Sequence, residues 1–253
     1  MKIYICQNYE EMSARAADLI AGQIKEKPDS VLGLATGSSP IGLYKELVAR
    51  NQKGEISFKN IKTVNLDEYC GLTADNDQSY AYFMNQNLFD HVDIDKANTN
   101  LPDGTNSDAA AECARYDALI ESLGGIDIQL LGIGLNGHIG FNEPSDTISL
   151  GTNHVALTQS TFEANARFFA SIDDVPRYAY SMGCGSILNA KKIMLVANGK
   201  GKAEILEKSF FGPVTSQVPA SLLRLVSDKV YIFADKEAGA LLLENHPEEV
   251  IVL

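Results

Sequence analysis

The stretch GLNGHIGFNEP, residues 134–144, places a histidine and a carboxylate five residues apart in a loop rich in glycine and asparagine. The imidazole of His138 changes charge near neutral pH, so it can accept or donate a proton under working conditions. A neighbouring carboxylate such as Glu143 would fix the tautomer of the ring and support its charged form. Asn136 adds a third polar side chain. The stretch indicates proton transfer; the competing interpretation is a structural histidine paired with backbone.

A second candidate is the aspartate of Asp67-Glu68-Tyr69, which directly follows the strand-like run IKTVNL at 61–66. A carboxylate partly removed from water gains basicity, and in a cleft it can move a proton on a carbon beside a carbonyl. Aspartate is also an ordinary turn or cap residue at the end of a strand. Two interpretations of Asp67 therefore stay open at this point, a general base and a turn residue.

The third stretch, TGSSP at 36–40, lies between the apolar run VLGLA and the helix-like IGLYKELVAR. Backbone N–H groups at a helix start, together with the helix dipole, suit a phosphate, so Gly37, Ser38 and Ser39 are candidate phosphate ligands. The alternative is a tight turn in which a serine is the N-cap and Pro40 occupies the first helical turn. The spacing matches neither GxxxxGK[ST] nor GxGxxG, so neither a nucleoside triphosphate nor a dinucleotide is expected.

Other catalytic arrangements fit the sequence poorly. It contains no GxSxG, which disfavours a serine hydrolase. The remaining histidines lack a comparable polar setting, and one histidine supplies too little for a metal site. The cysteines are scattered without CxxC spacing, so we predict free thiols in a reducing cytoplasm rather than a metal cluster or redox pair. These residues are His91, His154 and His246, and Cys6, Cys70, Cys113 and Cys184.

Strand-like and helix-like segments alternate along the chain, which predicts parallel strands joined by helices. Strand-like runs occupy 2–6, 31–35, 61–66, 126–133, 192–197 and 229–234, and helical patterns occupy 9–26, 41–50, 79–90 and 108–123. We expect an α/β fold in a single domain spanning 1–253. Its mainly parallel sheet would be flanked by helices in a Rossmann-like, three-layer arrangement. The region 144–190, rich in Ser, Thr, Asn and Gly, is expected to form an irregular, lid-like segment.

All three polar stretches follow predicted strands. In open α/β sheets, ligands bind outside the carboxyl ends of the strands. We therefore expect TGSS, DEY and GLNGH to meet in one pocket, and this convergence is stronger evidence than any single motif.

Composition narrows the class of protein. The chain has 253 residues, a net charge of −12, 45% hydrophobic and 21% charged residues, which is typical of an ordinary globular protein. The acidic balance argues against a nucleic-acid partner but permits an anionic small-molecule substrate in a locally favourable cleft. The first residues are too short an apolar run for a signal peptide, and no run of about 18 apolar residues predicts a membrane span. A cytoplasmic location is expected, and the oligomeric state stays open.

The quoted stretches also carry a family resemblance. VLGLATGSSPIGLYKEL, NLDEY, LGIGLNGHIGFNEP, ANARFF and PASLL, in that order from about residue 31 to about residue 224, resemble the glucosamine-6-phosphate deaminase family. The combination of GHIGFNEP with DEY is specific. The related 6-phosphogluconolactonases share the fold but have a GHxAS-like stretch and DER in place of DEY.

The resemblance implies that glucosamine 6-phosphate and water become fructose 6-phosphate and ammonia. His138 would open the sugar ring with support from Glu143, and Asp67 would move a proton between C2 and C1. The phosphate would lie against Gly37, Ser38 and Ser39, with Arg167 and Lys202 as cations and Lys200 as an alternative to Lys202. No electron-sink cofactor and no metal are implied, because the carbonyl of the opened sugar itself activates C2.

The sequence departs from the family pattern at two places. Asn136 stands where many members have aspartate, so charge support for a protonated His138 must come from Glu143. The phosphate loop has GSS in place of GGT, a change that matters little if backbone donors bind the phosphate. The rival functions are a lactonase or sugar-phosphate isomerase on the same fold, and a sugar-phosphate-binding regulator without catalysis. An intact set of Asp67, His138 and Glu143 argues against the regulator, since a sensor needs no proton shuttle.

Overall fold

The computed structural model describes residues 1–158 and 171–253. The strands in these residues are β1 (Lys2–Cys6), β2 (Val31–Leu34), β3 (Lys62–Asn65), β4 (Asp67–Tyr69), β5 (Thr99–Asn100), β6 (Ile128–Leu131), β7 (Asn153–Ala156), β8 (Tyr178–Ser181), β9 (Lys192–Ala197), β10 (Val230–Asp235) and β11 (Val250–Val252). The α-helices are α1 (Tyr9–Glu26), α2 (Ile41–Gln52), α3 (Tyr80–Asn87), α4 (Ala109–Ser122), α5 (Cys184–Asn189), α6 (Ala203–Phe211) and α7 (Ala240–Asn245). Short 3₁₀ helices span Phe89–His91, Lys96–Asn98, Ile172–Asp174, Lys200–Lys202, Pro219–Lys229 and Pro247–Glu249.

Eight strands form one sheet in the order β11-β1-β10-β9-β6-β2-β3-β5. Every pairing in it is parallel, as the alternation of strands and helices predicts. The central strands β2 and β6 are buried along their whole length, which explains why they read as continuous apolar runs. The expected α/β fold, with a mainly parallel sheet flanked by helices, is confirmed.

A second, three-stranded sheet joins β4, β8 and β7 in antiparallel pairs. Leu66 connects the two sheets, because its N–H donates to the carbonyl of Leu34 at 3.0 Å and its carbonyl accepts from Met182 at 2.7 Å. The predicted strand 61–66 therefore ends one residue early, at Asn65. After Leu66 the chain passes into the small sheet, where Asp67 pairs with Ser181.

The region 144–190 is more regular than the sequence predicts. It contributes β7, β8 and α5, and β8 buries Ala179, Tyr180 and Ser181. Its strands have only four residues each, so their alternation is too short to stand out in the sequence. Residues 159–170 lie outside the described residues.

The helix boundaries follow local capping. Asn8 caps α1, its side chain accepting the N–H of Glu11 at 2.9 Å, and α1 covers the range predicted for it. Ser79 caps α3 in the same way through the N–H of Tyr82. This helix ends at Asn87 and continues as a short 3₁₀ turn, so the prediction of one helix over 79–90 is slightly too long. In the described residues, no helix combines the length and apolarity required to cross a membrane.

Candidate active site

A cleft of about 380 Å³ opens at the carboxyl ends of β2, β3 and β6. The three polar stretches meet there, as the strand ends predict. The predicted site residues that line the cleft are Gly37, Ser38, Ser39, Asp67, His138 and Lys202. Asn136 and Glu143 do not line the cleft but contact His138. Arg167 lies outside the described residues.

His138 and Glu143 form a close pair. The ring nitrogen Nδ1 is buried and lies 3.2 Å from Oε1 of Glu143, a contact that has an ion-pair distance without the alignment of a good hydrogen bond. The His138 side chain keeps 29% of its surface exposed, towards the cleft. A carboxylate beside Nδ1, with part of the ring exposed to the cleft, is the arrangement of a proton-transfer histidine.

Asn136 ties this pair together. Its Nδ2 donates to Oε2 of Glu143 at 2.6 Å, and its Oδ1 accepts the backbone N–H of His138 at 3.1 Å. One amide therefore orients the carboxylate and also fixes the backbone that carries the imidazole. This gives a physical role to Asn136, which is uncharged at a position where the family resemblance leads one to expect aspartate.

The ionisation of Glu143 follows from these contacts. Burial acts to raise the pKa of this carboxyl, but the contacts with His138 and with the amide of Asn136 outweigh it, so its pKa lies below the ordinary value. Glu143 is therefore a carboxylate at neutral pH, available to stabilise positive charge on the imidazole.

Glycine at position 134 makes room for the histidine ring. A β-carbon there would lie 2.3 Å from Cε1 and 2.4 Å from Nδ1 of His138, closer than any real contact. The ring thus packs against bare backbone. Gly137 has a φ of +87°, which favours glycine and lets the chain turn sharply between Asn136 and His138.

Asp67 is a buried carboxylate at the wall of the cleft. Its residue is 6% exposed, and its carboxylate accepts no hydrogen bond from the residues that the structure describes. Burial, and then the negative charge of Glu68, raises the pKa of Asp67 to about 8. A carboxyl group that titrates near neutrality and faces a cleft is suited to general-base work.

The loop between β2 and α2 offers backbone donors. Gly37 has a φ of +97°, and the N–H groups of Gly37, Ser38 and Ser39 have no hydrogen-bond partner among the described residues. Tyr9 braces the loop from below: its hydroxyl donates to the carbonyls of Ser38 and Ser39, both at 3.1 Å. Free N–H groups on a braced loop before a helix form a site for an anion.

The serines do not cap the following helix, which corrects the alternative interpretation of TGSSP. Pro40 is the N-cap residue of α2 and makes no side-chain hydrogen bond to the helix. The Ser39 hydroxyl instead donates to Oδ1 of Asn198 at 2.7 Å. This bond joins the loop to the turn that carries Lys202, and so connects two parts of the anion site.

Lys202 brings a cation into the cleft, whereas Lys200 does not line it. Nζ of Lys202 donates to the carbonyl of Ile133 at 2.5 Å, just after the end of β6. Burial lowers the pKa of this ammonium group. Between the two lysines that the sequence left open, the cleft geometry favours Lys202.

Two aromatic residues that sequence reasoning missed form one wall of the cleft, Tyr80 and Phe141. Their rings stack at 9° with centroids 6.2 Å apart, and the Tyr80 hydroxyl donates to that of Tyr69 at 3.1 Å. Phe141 belongs to the GHIGFNEP motif, so its place was visible in the sequence. Tyr80 carries no such signal, because it enters the cleft only through the packing of α3 against β4.

Within 1–158 and 171–253, no three His, Cys, Asp or Glu residues come together as a metal-binding group.

Comparison with known proteins identifies the family of this chain. Residues 7–232 match the family model described as glucosamine-6-phosphate isomerases/6-phosphogluconolactonase. The chain belongs to this family. A glucosamine-6-phosphate deaminase of Clostridium perfringens is 53% identical over 242 residues, covering 96% of this chain and 100% of the relative. Another, from Thermoanaerobacter sp., is 52% identical over the full length of both chains.

Solved structures show the same fold. A monomeric glucosamine-6-phosphate deaminase superimposes with a TM-score of 0.91 at 49% identity, over 95% of this chain and 100% of the other. A 6-phosphogluconolactonase of Thermotoga maritima has a TM-score of 0.73 at only 18% identity, over 93% of this chain and 100% of the other, and that likeness concerns the fold alone. The Rossmann-like architecture is thus common to the family.

Proposed function

We propose that this protein is an enzyme that converts glucosamine 6-phosphate and water to fructose 6-phosphate and ammonia. The observation that carries the proposal is the single cleft in which Asp67, the His138–Glu143 pair and a loop of free N–H groups face one another. Relatives at 52–53% identity, named glucosamine-6-phosphate deaminases, support the same reaction.

Ring opening is the first step. Nε2 of His138 takes the proton of the anomeric hydroxyl and returns it to the ring oxygen, so that the C1–O5 bond breaks and an aldehyde forms at C1. Glu143, held by Asn136, stabilises the positive charge that the imidazole carries between these transfers. Both groups are recovered at the end of the step.

Proton movement between carbons follows. Asp67 removes the C2 proton, and the electron pair of that bond forms a C1–C2 double bond as the C1 oxygen takes up a proton. Asp67 then returns its proton to C1, which leaves an iminium group at C2. Water adds at C2 and ammonia departs, and one proton is released to solvent, which balances the proton that the C1 oxygen took from solvent, so that the C2 ketone of fructose 6-phosphate remains.

The phosphate anchors the substrate far from the reacting carbons. The N–H groups of Gly37, Ser38 and Ser39 and the ammonium of Lys202 supply donors for it, and Arg167 is proposed as the second cation. Binding energy gained there positions C1 and C2 between Asp67 and His138. The cysteines are free thiols, as suits a reducing compartment, and we place the reaction in the cytoplasm.

A lactonase is the nearest rival function. Lactone hydrolysis requires one activated water and has no step for a base that moves a proton between two carbons. A desolvated Asp67 without hydrogen-bond partners among the described residues, alongside a separate imidazole–carboxylate pair, favours the isomerising reaction. A regulator that only binds sugar phosphate would require neither group.

One assay distinguishes these functions. The purified protein is incubated with glucosamine 6-phosphate, and both ammonia and fructose 6-phosphate are measured over time. Equal amounts of the two products are expected. Hydrolysis of 6-phosphogluconolactone without ammonia release would establish the lactonase, and tight binding of glucosamine 6-phosphate without turnover would establish the regulator.

A further inference from the structure

Glu68 is a buried carboxylate to which the proposed reaction assigns no role. It is 3% exposed and forms no ion pair with a lysine, arginine or histidine of the described residues. A buried charge is costly unless other groups compensate it. The charge of Glu68 must therefore be stabilised by neighbouring dipoles, such as backbone N–H groups.

Three backbone N–H groups do so. Oε1 of Glu68 accepts the N–H groups of Tyr69 and Tyr80, both at 2.9 Å, and Oε2 accepts that of Ala81 at 2.9 Å. Tyr80 and Ala81 are the first two residues of α3, whose initial N–H groups have no partner within the helix. The carboxylate lies at the positive end of the helix dipole, which stabilises its charge.

This clamp joins two walls of the cleft. Successive side chains of a strand point to opposite faces, so Asp67 faces the cleft and Glu68 points away from it towards α3. Tyr80, whose N–H donates to Glu68, also forms part of the aromatic wall of the cleft. Its ring centroid lies 4.6 Å from that of Tyr69. The bonds to Glu68 thus set the distance between β4 and the start of α3.

We propose that Glu68 is a positioning residue, which holds the strand of the base and the aromatic wall at a fixed separation and places a negative charge beside Asp67. The inference rests on the proposed function for its catalytic meaning. Glu68 touches no substrate and acts only through Asp67 and Tyr80.

The charges around the two carboxylates define the expected pH effect. Tyr80 from α3 and Tyr116 from α4 interact electrostatically with Asp67, and His138 and Lys202 line the same cleft. Lys96 and Asp103 line the cavity on the side of Glu68. Burial raises the pKa of Glu68 to about 6, although its N–H partners lower it, so Glu68 is ionised where Asp67 titrates.

The sign of the effect follows directly. Asp67 acts as a base only when ionised, so kcat/KM falls as the pH drops below the pKa of Asp67. The negative charge of Glu68 disfavours a second negative charge nearby, and its removal lowers the pKa of Asp67. Neutralising Glu68 therefore moves the acidic limb of the pH profile to lower pH.

The experiment compares three variants. Glu68→Gln removes the charge, Glu68→Asp keeps the charge but is too short to reach the N–H groups of α3, and Glu112→Gln is the matched control. Glu112 is also a buried carboxylate that accepts a backbone N–H, from Asp103, but it pairs with Arg115 and lies outside the cleft. Each variant is assayed for kcat and KM over the pH range from well below to well above the Asp67 midpoint. The titration of the Asp67 carboxyl is followed without substrate by ¹³C NMR, with Asp67→Asn to assign its signal.

In Glu68→Gln we expect the Asp67 midpoint and the acidic limb of kcat/KM to move down together, by about one pH unit. Glu68→Asp should keep the wild-type midpoint and raise KM several-fold, and Glu112→Gln should change neither. An Asp67 midpoint unchanged in Glu68→Gln would overturn the proposal. If Glu68→Gln fails to fold, a Glu68→Asp variant with wild-type KM would overturn it instead. The NMR titration needs no turnover, so it decides the matter even if the protein does not deaminate glucosamine 6-phosphate.

Discussion

Gly134 lies directly against the imidazole of His138, so close that a β-carbon at position 134 would stand 2.3 Å from Cε1 of the ring. The absence of a side chain at position 134 thus leaves room for the ring orientation that the proposed reaction requires. Asn136 holds the backbone N–H of His138, and Glu143 contacts its Nδ1.

Gly134→Ala should displace this ring and lower kcat/KM by about 100-fold, because a shift of about 1 Å in a catalytic group has an effect of that size. The measurement is steady-state deamination together with the melting temperature. Gly22→Ala is the control: Gly22 is exposed on α1, a β-carbon added there would meet nothing within 4 Å, and its substitution should leave the rate unchanged. Full activity in Gly134→Ala would show that the ring orientation is not critical.

Asp67→Asn should abolish exchange of the C2 proton, because an amide cannot accept it. Phosphate binding should persist, since the loop at 36–40 and Lys202 are untouched. The readouts are deuterium incorporation from heavy water, measured by NMR, and the affinity for fructose 6-phosphate. Exchange at the wild-type rate would mean that another group is the base.

The same substitution should change stability in a pH-dependent way. The pKa of Asp67 rises from 3.8 to about 8 on folding, so the folded protein retains the proton through a range in which the unfolded chain has lost it. The stability contributed by this group falls as the pH rises from about 4 to about 8. Thermal unfolding of Asp67→Asn should therefore occur at a higher temperature than wild type, with a difference that is larger above the Asp67 midpoint than well below it. A constant difference across this range would contradict the raised pKa.

His138→Gln should impair the ring-closed substrate more than an open-chain one. Glutamine cannot shuttle the anomeric proton, whereas an open-chain analogue bypasses that step. The comparison is kcat/KM for glucosamine 6-phosphate against an analogue that cannot close to a pyranose. Equal losses on both would indicate a role for His138 after ring opening.

Lys202→Met should raise KM about tenfold or more with a smaller change in kcat, because a charge-assisted contact to the phosphate contributes on the order of 1.5–3 kcal/mol. Lys200→Met separates the two neighbouring lysines, since Lys200 does not line the cleft. Initial rates over a range of glucosamine 6-phosphate concentrations give both constants. The reverse ranking of the two variants would assign the phosphate contact to Lys200.

The sequence predicts the parallel sheet well because its buried strands read as continuous apolar runs and its helices show their periodicity. The strand-end rule then predicts that Asp67, His138 and the loop at 36–40 converge, and they do. Sequence patterns do not predict residues whose role depends on packing between distant parts of the chain. Tyr80 reaches the cleft through the packing of α3 against β4, where Glu68 accepts its N–H, and the hydrogen bond from Ser39 to Asn198 spans 159 positions of sequence.

The role of Asn136 shows the same limit at short range. Its type and place were evident, but its two hydrogen bonds depend on the turn at Gly137 and on the direction of Glu143. The small antiparallel sheet was missed for a similar reason. Its three strands come from distant parts of the chain and are too short for a periodic signal.

Leu66 is the only residue between β3 in the large sheet and β4 in the small one. The proposed phosphate loop and the proposed ring-opening histidine thus follow strands of the large sheet, whereas Asp67, the proposed carbon base, belongs to the small one. Sequence changes in the small sheet can therefore alter the position of the proposed carbon base without altering the sheet that carries the loop at 36–40 and His138. Such a division of labour suits a fold that serves more than one reaction on phosphorylated sugars.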